Sequence, residues 1–197
     1  MSTWLYYTLI VLGALAVWLT LVLLVLRGWR NRGRRQEQVL GEFPVPPAEV
    51  GDPVRGPHTG LYVGSTVSPS WQDRVAVGDY GDRASCDLAE YPEGLLISRQ
   101  GASPIWIPSD AIVAVRPENG LAGKVMSRDG VLVIRWTLPS GVQLDSGVRG
   151  DDKSVYPEWA AAYAALNERA FAAAEAADQE RAGGSASESG TEMKKEK

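Results

Sequence analysis

The sequence predicts a single N-terminal transmembrane α-helix followed by a mainly-β domain of about seven to nine short antiparallel strands, closed by a C-terminal α-helix. Three observations carry this. Residues 4–26 form one apolar run without a charged side chain. From residue 60 the chain breaks into short β-rich runs separated by turn signals. After Pro157 the apolar residues change to a helical period.

The run Trp4 to Leu26 has 23 residues. At about 1.5 Å per residue they span roughly 34 Å as a helix, enough for a hydrocarbon core of about 30 Å. A cleavable signal peptide would carry its positive charges before a shorter run. Here no Lys or Arg precedes the run, and Arg27, Arg30, Arg32, Arg34 and Arg35 follow it. Positive charges beside a membrane end stay on the cytoplasmic side. The expectation is therefore an uncleaved single-pass anchor in the cell membrane, with residues 1–3 outside and the rest in the cytoplasm. Trp4, Tyr6 and Tyr7 mark the outer interface. Trp29 and the five arginines of the juxtamembrane stop, residues 27–35, mark the inner one. Those arginines set topology, with lipid-headgroup recognition as the sharper alternative.

Residues 36–59 carry Pro44, Pro46, Pro47, Pro53 and Pro57 with Gly41, Gly51 and Gly56. This composition reads as a semi-rigid tether that would span roughly 25–30 Å as a coil.

The folded domain is expected over residues 60–176. Strands are read at Leu61–Val67, Arg74–Val77, Arg83–Tyr91, Gly94–Arg99, Ile105–Ile107, Ala111–Arg116, Lys124–Arg128, Val131–Leu138 and Val142–Val148. Pro92-Glu93-Gly94 turns one hairpin and Asp129-Gly130 a second. Trp159, Tyr163, Leu166 and Ala170 form an apolar stripe on a helix over about residues 157–176, covering an open end or flank of the β-structure. The Gly/Ser/Glu/Lys-rich stretch 177–197 reads as a disordered tail.

This order of elements, with the phrases G-L-Y-V-G-S-T, A-G-K-V, D-G-V-L-V-I-R-W and L-D-S-G-V-R, resembles the membrane-anchored bacterial PH-like domain proteins of actinobacteria, over roughly residues 4–170. The resemblance implies a PH-like barrel and a membrane location, and no reaction. Phosphoinositide-binding PH domains place several Lys/Arg around their first hairpin loop. Ser65–Arg74 holds one Arg and one Asp, so phosphoinositide binding is not expected.

Composition narrows the function classes. Residues 60–181 hold 11 Lys/Arg against 17 Asp/Glu, a net of −6. Nucleic-acid binding rests on cations that neutralise phosphates, and is not expected here. The single cysteine, Cys86, reads as a small buried hydrophobe on a strand; the histidine a catalytic thiolate would want is available only as His58, in the proline-rich stretch, and one cysteine makes no cysteine zinc site. Gly120-Leu121-Ala122-Gly123-Lys124 lacks the first glycine and the Ser/Thr of a phosphate loop, holding Glu118 and Val125 there. Asp110, Glu118, Asp129 and Asp145 form no spaced carboxylate pair; Asp145 and Arg149 invite an ion pair across the last strand. No catalytic, metal or cofactor residue is assigned. Trp136 and Trp159 read as core. Trp71, in the S-P-S-W-Q-D loop, and Trp106, between two prolines, are candidate partner contacts. The expected function is a non-enzymatic, membrane-tethered PH-like module that binds a cytoplasmic protein or peptide. The alternatives are an anionic-lipid sensor or an accessory subunit of a membrane or transport complex.

Overall fold

The computed structural model describes residues 3–125 and 129–192. Helix α1 runs unbroken from Thr3 to Leu40. Its apolar part, Thr3–Gly28, is long and apolar enough to cross a membrane, and none of that window is buried. Within it the Thr8 and Thr20 hydroxyls donate to the carbonyls of Trp4 and Ala16. This satisfies them inside the helix, as an apolar surrounding requires.

The helix continues well past the apolar run. Arg, Gln and Glu are good helix formers, and the isolated Gly28 and Gly33 are tolerated. It ends where Gly41 adopts a left-handed φ of +69° and its N–H bonds the Glu37 carbonyl, a glycine C-terminal stop. The expected tether at 36–59 thus differs in the structure. Residues 36–40 are helical, and the first strand begins at Arg55. Between them Phe43, Pro44, Pro46 and Pro47 are half-buried.

The domain is a seven-stranded antiparallel sheet in the order β4-β3-β2-β1-β9-β8-β5, not closed into a barrel. Strand β1 spans Arg55–Val67, β2 Ala84–Tyr91, β3 Gly94–Arg99 and β4 Ile105–Pro108. Strand β5 spans Ile112–Glu118, β8 Val131–Thr137 and β9 Gln143–Gly150. The long β1 holds the sheet together. Its first half pairs with β2, and its second half with β9. Both partners meet at Gly60, where a Cβ would lie 2.6 Å from the Arg149 carbonyl.

The inner face holds the main core, including Tyr62, Leu95, Ile97, Ile134, Trp136, Leu144 and Trp159. A smaller outer-face cluster joins Val63, Leu121, Ala122, Val131 and Val133. It is covered by a second, two-stranded sheet, β6 (Gly120–Leu121) with β7 (Lys124–Val125). Gly147 makes room for that cover. A Cβ there would meet Leu121, Val63 and Val131 within 3 Å.

Two local expectations are corrected here. Arg74–Val77 is not a strand; Arg74 makes only an isolated bridge to Thr66. The hairpin turn lies within Gly120–Lys124, where Ala122 and Gly123 take φ of +53° and +72°. Strand β8 pairs with β5 and β9 and not with β7. Positive φ at both central residues is the geometry of a tight two-residue hairpin. Residues 126–128 of the expected strand lie outside the described residues.

The C-terminal helix is divided. Helix α2 spans Tyr156–Ala162, Tyr163 leaves helical geometry at φ −109° and ψ 18°, and α3 spans Ala164–Glu192. Tyr156 and Trp159 are buried. Tyr163 and Leu166 pack partly on the same core, as their stripe predicts. Helix α3 starts in alanine-rich sequence of high helix propensity and runs past the expected end at residue 176, into the Gly/Ser-containing stretch read as a tail. Residues 193–197 of the expected tail lie outside the described residues.

Candidate functional site at the foot of α1

The distinctive site is the junction between α1 and the loop 68–83. Leu40, the last helical residue, is 1 % exposed and belongs to the main core. Three residues on, the Phe43 ring stacks on Tyr80 at 3.7 Å and meets Trp136 edge-on at 6.4 Å. One turn before the helix end, the Gln36 side chain reads the loop backbone. Its Oε1 accepts from Ala76 N–H at 2.6 Å, and its Nε2 donates to the Arg74 carbonyl at 3.4 Å. Val25, Gly28, Gln36 and Leu40 fall within an arc of about 120° at about 100° per residue, so one face of α1 meets the domain.

The loop is itself held firmly. Arg74 donates to the carbonyls of Gly81 and Val63 at 2.7 and 2.8 Å. Val75 N–H bonds the Ser65 carbonyl, and Ser65 N–H bonds the Tyr80 carbonyl. From beneath, the buried Arg99 donates to the Asp79 carbonyl and carboxylate at 2.6 and 2.5 Å and to the Ser103 carbonyl at 2.7 Å. Its guanidinium also lies over the Tyr62 ring at 4.9 Å. Burial pushes the Asp79 carboxyl up, but the Ser103 N–H and Arg99 together hold it below its usual 3.8. Burial is also the main reason the Tyr62 hydroxyl is pushed up. That hydroxyl donates to the Tyr80 carbonyl at 2.6 Å and meets Ser65 Oγ at 2.7 Å. Ser65 Oγ lies 2.6 Å from Ser146 Oγ, which accepts from Trp136 Nε1 at 2.9 Å. The polar chain therefore runs from the core tryptophan to the loop, its members saturating one another.

A cleft of about 460 Å³ opens between α1 and this loop, lined by Val25, Gly28, Gln72, Arg74, Val75 and Asp82 among others. Trp71 sits next to it, 42 % exposed, its carbonyl accepting from Gly123 N–H. Trp106 differs. It is 5 % exposed and packs over Gly94 and beside Tyr91, so its ring is unavailable to a partner. Of the juxtamembrane residues, Arg27 is exposed on α1. The side chains of Trp29, Arg30, Arg32, Arg34 and Arg35 lie outside the described residues.

Both edges of the sheet are occupied or blunted. At β5, the Asn167 side chain accepts from Val115 N–H and donates to Val115 C=O, both at 2.8 Å. It thereby takes the hydrogen bonds an added strand would need. At β4, Pro104 and Pro108 bracket a four-residue strand, a common way to blunt an edge. Tyr163 donates to Glu90 at 2.8 Å, and Arg55 pairs with both Glu90 and Glu158. These contacts lock the helical layer onto β1 and β2.

The remaining candidates are structural. Cys86 is 2 % exposed, and burial pushes its thiol up to about 11. His58 lies edge-on to Trp159 at 6.1 Å, opposite Leu88 on β2. Asp145 pairs with Arg135 through two bonds of 2.8 Å, not with Arg149, because β8 and β9 place residues 135 and 145 directly opposite. Among the described residues no group of three or more His, Cys, Asp or Glu could hold a metal ion. The residues that build the site, Gln36, Leu40, Phe43, Arg74 and Arg99, were not singled out by sequence reasoning. The legible signals were Gly41 as a helix stop and the apolar Val39-Leu40 just before it.

No curated protein and no solved structure gives a significant match to the chain. A family model described as Bacterial PH domain-like matches residues 40–164. The match begins at the residue through which α1 enters the core and takes in the whole sheet. PH-like domains are generally non-catalytic. The chain belongs to the bacterial PH domain-like family.

Proposed function

We propose that this protein is a non-enzymatic membrane-anchored adaptor that binds a cytoplasmic protein or peptide close to the bilayer. The observation that carries the reading is the seating of α1. An apolar span ending at Gly28 continues as one helix to Leu40, which is buried in the domain core. With α1 across the bilayer, the domain is held at the membrane surface and does not wander on a tether. The arginines from Arg27 to Arg35 orient residues 27–197 to the cytoplasm. Anchoring raises the local concentration of the domain for partners in the same membrane, which compensates for modest intrinsic affinity. Trp71 is the contact we assign to the partner, as an exposed aromatic on a braced loop. An accessory role beside another membrane protein follows from the same placement.

The test is a photo-crosslinking side chain at position 71 of the full chain in native membranes. The expected result is one discrete protein adduct, lost when Trp71→Ala is probed from a neighbouring position. Adducts to lipid alone would contradict the reading.

A further inference from the structure

We propose that the cleft between α1 and the loop 68–83 binds the headgroup of a phospholipid carrying both a phosphate and a primary amine, of the phosphatidylethanolamine kind. The proposal rests on the reading that α1 crosses the bilayer. Three observations support it.

The first is position. Val25 and Gly28, which line the cleft, are the last residues of the apolar span. A cavity there opens at the level where hydrocarbon gives way to headgroups. Val25 is 67 % exposed, and a Cβ on Gly28 would meet nothing within 4 Å. The loop therefore leaves space beside the helix. The volume of about 460 Å³ falls within the range of small-molecule sites.

The second is charge. Among the described residues, the charged ones lining the cleft are Arg74 and Asp82. Arg74 bonds two backbone carbonyls, Gly81 and Val63. These fix its guanidinium without neutralising it, and it has further N–H donors to offer. Asp82 is exposed, and its carboxylate accepts no hydrogen bond within the described residues. Asp79, three residues earlier, differs because Arg99 and Ser103 occupy it. A cation and an anion presented together by the loop match a zwitterionic headgroup, with phosphate at Arg74 and amine at Asp82. A purely anionic headgroup would leave Asp82 facing negative charge.

The third is preorganisation. Gln36 holds the backbone on both sides of Val75, and Arg99 holds Asp79. The loop therefore presents Arg74 and Asp82 in place before a lipid arrives, which removes an ordering cost from binding.

The experiment is native mass spectrometry of the full chain released from nanodiscs containing equal phosphatidylethanolamine and phosphatidylglycerol. The expected result is preferential retention of phosphatidylethanolamine. Arg74→Gln should lower retention of both lipids about tenfold, the size of a charge-assisted hydrogen bond. Arg74 also braces the loop, so Asp82→Asn, an exposed position, is the second variant. It should bring the ratio of the two lipids to about one without unfolding the domain. Equal retention by the unaltered chain, or a ratio unchanged by Asp82→Asn, would overturn the proposal. Washing membranes with alkaline carbonate separates the two levels. Release of the chain would refute the membrane span itself, whereas an integral chain with no lipid preference would refute the headgroup site alone.

Discussion

Helix α1 enters the domain with its last residue sealed, Leu40 at 1 % exposure, whereas α3 leaves it with Phe171 at 66 %. Both helices are rich in residues of high helix propensity, so propensity does not separate them. What separates them is the side chains that reach back to the sheet. Helix α1 ends in a Gln36 clamp, a buried Leu40 and the stacked Phe43. Helix α3 has Leu166 and Asn167 in its first turn, and Phe171 to Ala176 then face outward without exception. One helix transmits its position to the domain and the other only borrows an attachment from it.

The largest expected effect comes from cutting the chain on either side of the α1 foot. A fragment of residues 36–197 keeps Gln36, Leu40 and Phe43 and is expected to unfold cooperatively. A fragment of residues 44–197 lacks all three and should lose its cooperative transition, as followed by circular dichroism during thermal melting. Next, Leu40→Ala within residues 36–197 should cost about 2–5 kcal/mol by urea titration, the usual range for a buried leucine. Asn167→Ala would strip Val115 N–H and C=O of their partners and should cost about 1–3 kcal/mol. It should also free the β5 edge, so self-association by sedimentation is expected to rise. The Asp79–Arg99 link gives a smaller, pH-dependent effect. The Asp79 carboxyl is lower in the folded state than its ordinary 3.8. Its contribution is therefore present above about pH 4 and lost as pH falls through the folded value. Arg99→Met should flatten that acid limb, and an unchanged limb would remove Asp79 from the account. The smallest effect is Phe171→Ala, expected within about 0.5 kcal/mol of the parent. A large loss there would mean that α3 is seated after all.

The parts of this arrangement that were legible are those written in local pattern. The apolar run, the strands at β1–β4, β5, β8 and β9, and the Trp159/Tyr163/Leu166 stripe all follow from periodicity and turn residues. The Asp129-Gly130 signal misplaced a hairpin because β8 pairs with β9 across the Leu138–Val142 turn and, on its other side, with β5, which lies beyond the β6–β7 insertion and outside any short window. The tether failed for a similar reason. Prolines at 44, 46 and 47 do extend the chain, but whether an extended segment lies on a surface depends on Tyr80 and Trp136, which receive Phe43 from far along the sequence. The Gln36 clamp was illegible because it acts on backbone atoms of distant residues, which leave no trace in residue type, and the buried Arg99 because its carboxylate partner, Asp79, lies in a loop far from it in sequence. Trp71, in a loop, and Trp106, on a short strand between two prolines, both read as candidate partner contacts in the sequence. Only the closeness of β4 to Gly94 on β3 shows that Trp106 is filled in while Trp71 is open.

The central claim is that α1 and the domain form one seated unit, and it can be measured as a distance. Gly28→Cys and Gln72→Cys, spin-labelled in the full chain in nanodiscs, place one probe at the end of the apolar span and one on the facing loop. Cys86 is buried with its thiol pushed up to about 11, so it should stay unlabelled at neutral pH. Pulsed electron resonance is expected to give a single narrow distance distribution that broadens when Gln36→Ala and Leu40→Ala are combined. A distribution already spread over tens of ångströms in the unaltered helix, about what a flexible tether of this length allows, would contradict the account.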